Sequence, residues 1–245
     1  MSSPRFYCSS LGFVGDTFEL PSEAAHHANR VLRLRVNDAV QLFDGKDNAL
    51  DARIHQISGK RVLLHKLSPC EPAGQPRLHI VLAQAMCSSE KMDWVVQKAT
   101  ELGVAEIQPV QTQRSVAKLT SERAEKRTEH WRSVVISACE QCGRNTLPQA
   151  HAPQEYSTWL AAQRTDSGSK IILHPGGATP LQQIFPPQSK VTLLIGPEGG
   201  FSQDEVLMAQ HAGFVSLQIG HHIMRTETAA LAGITVLQTL WGEFS

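Results

Sequence analysis

Apolar and polar positions along the chain change rhythm near residue 75. Before that point short β-like runs alternate with turns. Ala39-Val40-Gln41-Leu42-Phe43 stops at Asp44-Gly45, a pair suited to a turn. The runs 49–54 and 61–64 flank Ser58-Gly59-Lys60, which is the spacing of a hairpin. One helix, from Glu23 to about Leu32, interrupts these strands. Ser68-Pro69-Cys70-Glu71-Pro72-Ala73-Gly74-Gln75-Pro76 concentrates Pro and Gly and reads as a linker. Beyond it, strands and helices alternate. Leu78 to Ala83 is a buried-strand pattern, and Met92, Val95, Val96, Ala99 and Leu102 recur at helical spacing, with Gly103 placed to stop the helix. Further expectations are a long helix from Ser121 to Cys142, strands at 171–173 and 191–195, and a closing helix from Ala229 to Leu240. Strands separated by helices predict a parallel sheet covered on both faces. The division expected is a small β-rich domain over residues 1–72 and an α/β domain over 73–245.

Two segments near the end carry the chemistry. Leu193-Leu194-Ile195 runs into Gly196-Pro197-Glu198-Gly199-Gly200, and Ser202 to Glu205 is a capping box that opens a helix. Leu217-Gln218-Ile219 then runs into Gly220-His221-His222-Ile223-Met224-Arg225, followed by an Ala-rich helix. Loops of this kind after two strands build a ligand crevice at the carboxyl edge of an α/β sheet. Either glycine loop alone is equally compatible with a tight turn that holds nothing.

Composition narrows the classes. The chain has 245 residues, 41% hydrophobic and 19% charged, ordinary for a globular protein. No apolar run approaches the roughly 20 residues of a membrane span, and Met1 to Arg5 lacks a signal-peptide core. Five cysteines, an odd number, suit free thiols in a reducing compartment, so a cytoplasmic location is expected. Net charge is zero, but seven bases face four acids between Arg114 and Arg144, while four bases face seven acids from Glu155 onward. The basic segment fits either a phosphate-binding surface or a salt-bridged helix face. Walker-type and dinucleotide-binding glycine motifs are absent, which disfavours nucleotide hydrolysis and dehydrogenase chemistry. Cys139 and Cys142 have a CxxC spacing without a companion pair and read as two half-buried thiols. The adjacent pairs His26-His27 and His221-His222 point in different directions along the backbone, so no metal is expected.

Several blocks occur together and in order: Arg30-Val31-Leu32-Arg33, Leu42-Phe43-Asp44-Gly45, Gln97 to Val104, Gln113-Arg114-Ser115-Val116, Glu140 to Asn145, and the two glycine loops. In these blocks the chain resembles the SPOUT class of RNA methyltransferases and, within it, the RsmE family, which forms N3-methyluridine in bacterial 16S rRNA. The resemblance implies an N-terminal PUA-like β-barrel that grips RNA and a C-terminal SPOUT domain, a parallel sheet with a deep trefoil knot. It also implies S-adenosyl-L-methionine as cofactor, a homodimer, and 16S rRNA in the decoding region of the 30S subunit as substrate.

By that resemblance the cofactor site is assigned to Leu173, His174, Gly196, Pro197, Glu198, Gly199, Gly200, Leu217, Ile219, Gly220, Ile223, Met224 and Arg225. Backbone polar groups would meet the adenine, and Ile219, Ile223 and Met224 an apolar wall. RNA-contact candidates are Arg30, Arg33, Arg35, Arg114, Arg144 and Asn145, since Arg matches phosphate and stacks on bases. Arg225 and Glu198 are the catalytic candidates. Arg225 begins a helix, where a cation is unfavourable unless something anionic lies near; a simple pair with Glu227 is the other reading. Glu198 is the first choice of base. His221 and His222 have no assigned role. Two other classes remain open from sequence: a different SPOUT enzyme, and a non-catalytic RNA-binding or ribosome-assembly factor.

Overall fold

The computed structural model of the protein describes residues 3–12, 16–72, 74, 76–116, 121–177, 179, 184 and 189–244. Lys118 of the basic segment and Ala73 and Gln75 of the linker lie outside the described residues. The chain falls into two compact units: Met1–Gln75 with Ile136–Leu147, and Pro76–Val135 with Pro148–Ser245.

In the first unit, β1 (Arg5–Tyr7), β2 (Thr17–Glu19), β3 (Ala39–Phe43), β4 (Ala49–Ser58) and β5 (Arg61–Pro69) form one sheet in the order β1-β3-β4-β5-β2. Ser58 pairs with Arg61, so Gly59 and Lys60 alone make the hairpin turn. Both hairpin strands run longer than the alternation predicts. Register shifts at Asp51/Ala52 and Ile54/Gln56 interrupt the two-residue period, which is why the pattern fades after Ile54. The expected helix is α1 (Ser22–His26), and it widens into a π-helical stretch over His27–Val31. Ala24, Ala25 and Ala28 pack with Leu42, Leu50, Ile54 and Leu64 in the core of this unit.

The second unit is built on a wholly parallel sheet. Its strands are β6 (His79–Ala85), β7 (Glu106–Gln111), β8 (Gln149–Ala150), β9 (Gln154–Glu155), β10 (Ser169–Leu173), β11 (Lys190–Ile195) and β12 (Val215–Leu217). Their order is β12-β10-β11-β6-β7-β8, with β9 also pairing with β7. After its first residue each of β6 and β11 is buried continuously, as a strand covered on both faces must be. On one face, α6 (Thr226–Trp241) packs against β6, β11 and α2 (Ser89–Glu101). On the other, Trp159 and Leu160 of α4 (Tyr156–Gln163) and Val206 and Ala209 of α5 (Gln203–His211) cluster with Ala83, Ile172 and Leu194.

Helix α3 (Ser121–Cys142) has the predicted bounds, and Gly103 follows α2 at φ +87°. Helix α6 begins one turn before the predicted Ala229. Its N-cap is Arg225, with no side-chain cap bond, so the usual sequence signal for a start is missing. Neighbours β6 and β11 mark the point where strand order turns back, which is where α/β sheets open a crevice.

Candidate active site

Segments following β10, β11 and β12, together with the start of α2 after β6, enclose a cleft of about 700 Å³. All the residues assigned from sequence to a cofactor line it except Gly220, which turns the loop after β12 at φ +70°. His221 and His222 also line it. Strand β12 ends at Leu217, so Gln218 and Ile219 belong to the loop. Ile223 projects there with 85% of its surface exposed.

Close backbone approaches hold the loop after β10 against the end of β12, and a tight turn shapes the loop after β11. The His174 N–H donates to the Leu217 carbonyl at 3.0 Å, and the Gly177 N–H donates to the His174 carbonyl at 2.9 Å. A Cβ at Gly177 would fall 2.5 Å from the Leu217 carbonyl carbon, so only glycine fits. The Gly176 N–H donates to His174 Nδ1 at 3.0 Å, which leaves the ring proton of a neutral His174 on Nε2. In the β11 loop the Gly200 N–H closes a turn on the Pro197 carbonyl at 2.9 Å, with Gly200 at φ +65°.

Buried polar groups tie that loop to α6 and to β7. Gln84 at the end of β6 donates through Nε2 to Thr226 Oγ1 (2.9 Å), and Thr226 Oγ1 donates to the Gly196 carbonyl (2.6 Å). Gln84 Oε1 is buried without a hydrogen-bond partner among the described residues. Arg114, just past β7, donates to the Gly199 carbonyl at 2.9 Å, and the Gln113 N–H donates to Glu205 Oε1 at 2.7 Å. The other Glu205 oxygen closes the predicted capping box with Ser202.

Charge within the cleft is arranged around Glu198. Its carboxylate accepts from the Ser88 N–H at the start of α2 (3.2 Å) and lies 3.3 Å from the Lys91 ammonium. Burial pushes the Glu198 pKa upward. Hydrogen bonds from its own N–H, Ser88 and Lys91 outweigh burial, and the carboxyl stays below its ordinary value. Lys91 also lies 3.7 Å from Glu227 Oε2. Arg225 therefore does not pair with Glu227: it is exposed at the α6 N-cap and makes no ion pair among the described residues.

The RNA-contact candidates divide between the units. Arg30, Arg33 and Arg35 are exposed in the first, after α1, and Arg33 has φ +54°. Arg144 and Asn145 also belong there, half-buried: Arg5 donates to the Arg144 carbonyl at 3.0 Å and to Asn145 Oδ1 at 2.7 Å, and its guanidinium sits 4.8 Å from the Phe43 ring centre. Arg114 is in the second unit and lines the cleft. On α3, Lys126 pairs with Glu122 and His130 with Asp93, so part of that basic helix carries a salt-bridged face.

Sequence reasoning missed Lys91, Gln84 and Thr226. A lysine in the first turn of a helix, against the dipole, was the available signal for Lys91. Among the described residues, no three His, Cys, Asp or Glu side chains gather as a metal site, and no helix is long and apolar enough to cross a membrane.

A parallel sheet with a glycine-lined crevice at its switch point defines an α/β protein built to hold a small molecule, and the chain carries a β-rich unit besides. Residues 74–238 match the RNA methyltransferase domain family, and residues 20–67 match the RNA methyltransferase PUA domain. The fold is thus a PUA-like domain followed by a SPOUT-type methyltransferase domain, as the resemblance implied. The chain is 30% identical to ribosomal RNA small subunit methyltransferase E of Buchnera aphidicola, over 98% of this chain and 95% of that one. The Neisseria gonorrhoeae enzyme of the same name, in a crystal structure bound to S-adenosyl methionine, superposes at a TM-score of 0.92 with 39% identity and 100% coverage of both chains. A proposed methyltransferase from Legionella pneumophila, in complex with the same cofactor, gives a TM-score of 0.92 at 36% identity over 99% of each chain. This chain belongs to the ribosomal RNA small subunit methyltransferase E family.

Proposed function

We propose that this protein transfers a methyl group from S-adenosylmethionine to N3 of a uridine in 16S rRNA, acting on the decoding region of the 30S subunit. The observation that carries this reading is the convergence of three strand-end loops on one crevice, in a chain that aligns over its full length with a cofactor-bound relative. The cleft suits the cofactor. Its volume, about 700 Å³, falls in the range of small-molecule sites. Ile219, Ile223 and Met224 offer an apolar wall, the loop backbones offer polar groups, and Glu198 offers a carboxylate for a cationic part.

When bound, S-adenosylmethionine supplies an electrophilic methyl group on a sulfonium. The residues of this chain would do the rest by positioning and electrostatics. Uracil N3 carries a proton and lies in the Watson–Crick edge, so the base must be unpaired or turned out to reach the cleft. Loss of that proton to solvent leaves negative charge on the ring, and Arg225, without an acidic partner among the described residues, would stabilise it. Glu198 is the only carboxylate of the lining among the described residues. Its lowered pKa suits it to facing a cation better than to abstracting the N3 proton.

The wider reading places RNA contacts at Arg30, Arg33, Arg114, Arg144 and Asn145, with residues 1–72 as the RNA-gripping domain and 73–245 as the catalytic one. It includes the trefoil knot, a cytoplasmic location and a homodimer. Incubation with labelled S-adenosylmethionine and 30S subunits from cells lacking the modification tests it: labelled N3-methyluridine is expected. A different methylated nucleoside overturns the target, and absence of label on subunits and naked rRNA overturns the enzyme reading.

A further inference from the structure

Lys91 is the third residue of α2, where the positive end of the helix dipole disfavours a cation. Two carboxylates from other elements compensate. Glu198 of the β11 loop lies 3.3 Å from its ammonium, and Glu227 in the first turn of α6 lies 3.7 Å away. Lys91 and Glu198 line the cleft, whereas Glu227 stands behind them. Glu227 Oε2 is buried and has no hydrogen-bond partner among the described residues, so Lys91 is its main compensation.

The other titratable groups near this cluster cannot replace that cation. Cys87, at the end of β6, is a buried thiol pushed up to about 12, by burial first and by Glu198 second, and it stays neutral. Arg114 is engaged by the Gly199 carbonyl. Arg225 holds the α6 N-cap and pairs with neither acid, and His174, His221 and His222 line the cleft from the loops after β10 and β12, with no ion pair to Glu198 or Glu227 among the described residues.

We propose that Lys91 is a positioning residue for methyl transfer: it neutralises the Glu198–Glu227 pair beside the cleft and pins the β11 loop to the helix start that carries Arg225. The inference deepens the functional reading above and rests on it. Without Lys91 two neighbouring carboxylates, one lining the cleft and one behind it, leave uncompensated negative charge beside the reacting groups. Like charges so placed raise the pKa at which the pair gives up its last proton. A variant lacking the cation is therefore least impaired at acid pH, where the pair keeps one proton, and most impaired at alkaline pH, where it is a dianion.

The test measures S-adenosylmethionine affinity by calorimetry and single-turnover methylation of 30S subunits from about pH 6 to pH 9. Lys91→Met should hold cofactor affinity within about threefold while its rate falls about 10-fold at the acid end and about 100-fold at the alkaline end. Lys91→Arg should restore the rate to within about fivefold throughout. Adding Glu227→Gln to Lys91→Met removes the like-charged pair, so the pH dependence of the deficit should disappear. A deficit that is flat with pH, or an Arg variant as slow as the Met variant, overturns the proposal while wild-type activity keeps the functional reading. Wild-type protein that methylates no subunit overturns that reading first, and the role of Lys91 with it.

Discussion

Thr226→Val removes one hydroxyl and keeps the shape of the side chain. In the wild type that hydroxyl donates to the Gly196 carbonyl at 2.6 Å and accepts from Gln84 Nε2 at 2.9 Å, in a position only 5% exposed. Each lost bond is worth about 1 kcal/mol net, and a buried group left without a partner adds about 1–3 kcal/mol. Gln84 Nε2 retains the Ala85 carbonyl, so the main orphan is the carbonyl of Gly196. Together these predict a loss of about 3–5 kcal/mol, and a melting temperature lower by about 6–20 °C in a chain of this size. Reversible thermal or urea unfolding measures it, with Thr226→Ser as control because it keeps the hydroxyl and should lose less than about 1 kcal/mol. The bridge also sets the position of the Gly196 wall, so cofactor affinity should fall in the Val variant. A Val variant within about 0.5 kcal/mol of wild type, or a Ser variant as unstable as Val, would refute the argument.

Arg225→Ala should reduce the methylation rate about 100-fold or more and change cofactor affinity by less than about threefold; equal losses in both would move Arg225 from the reaction to cofactor binding. Gly177→Ala forces a Cβ to within 2.5 Å of the Leu217 backbone, which should cost about 1–3 kcal/mol and loosen the cleft, read as a lower melting temperature and weaker cofactor binding. Glu106 is pushed up by burial, but bonds to His79 and His151, both 2.7 Å, hold its carboxyl below the usual value. A depressed folded pKa gives stability that is complete above the unfolded value of about 4.3 and is lost as pH falls through the folded value. Glu106→Gln should therefore flatten the acid limb of stability against pH, and identical limbs in urea unfolding would contradict the assignment.

Local signals were the ones that could be read from sequence. The α3 bounds, the Ser202–Glu205 capping box and the stop at Gly103 all rest on residues within a turn or two of each other. The hairpin is visible, but its bulges break the two-residue period that marks a strand, so the alternation marks only part of β4 and β5. Contacts that assemble the cleft were not visible, because they join distant positions. Gln84 and Thr226 are 142 residues apart, and Arg114 and Gly199 are 85 apart. Arg114 is an RNA-contact candidate by residue type and by its block, and its reach to the Gly199 carbonyl is a second contact that only the fold reveals. Lys91 lies just before the apolar period that defines its helix, so its one signal, a cation against the helix dipole, shows only once the helix start is known.

The helix starts at this edge of the sheet also explain the polarity of the cleft. Helix α5 is capped by its own Ser202 and Glu205, so its positive end is satisfied internally. Helix α2 opens on Ser88, whose N–H is taken by Glu198. Helix α6 opens on Arg225 with no side-chain cap, and its hydroxyl-bearing first residue is spent on Gly196 and Gln84. Dipole and guanidinium therefore add at the α6 end, while the α2 end presents an ionised carboxylate. A ligand with separated charges is oriented by such a field. A cationic group would turn toward Glu198, and an anion would turn toward Arg225. The proposed transfer from a cationic donor to an anionic acceptor is served by opposite charges at the two ends of one cleft, which orient donor and acceptor in line and at near contact.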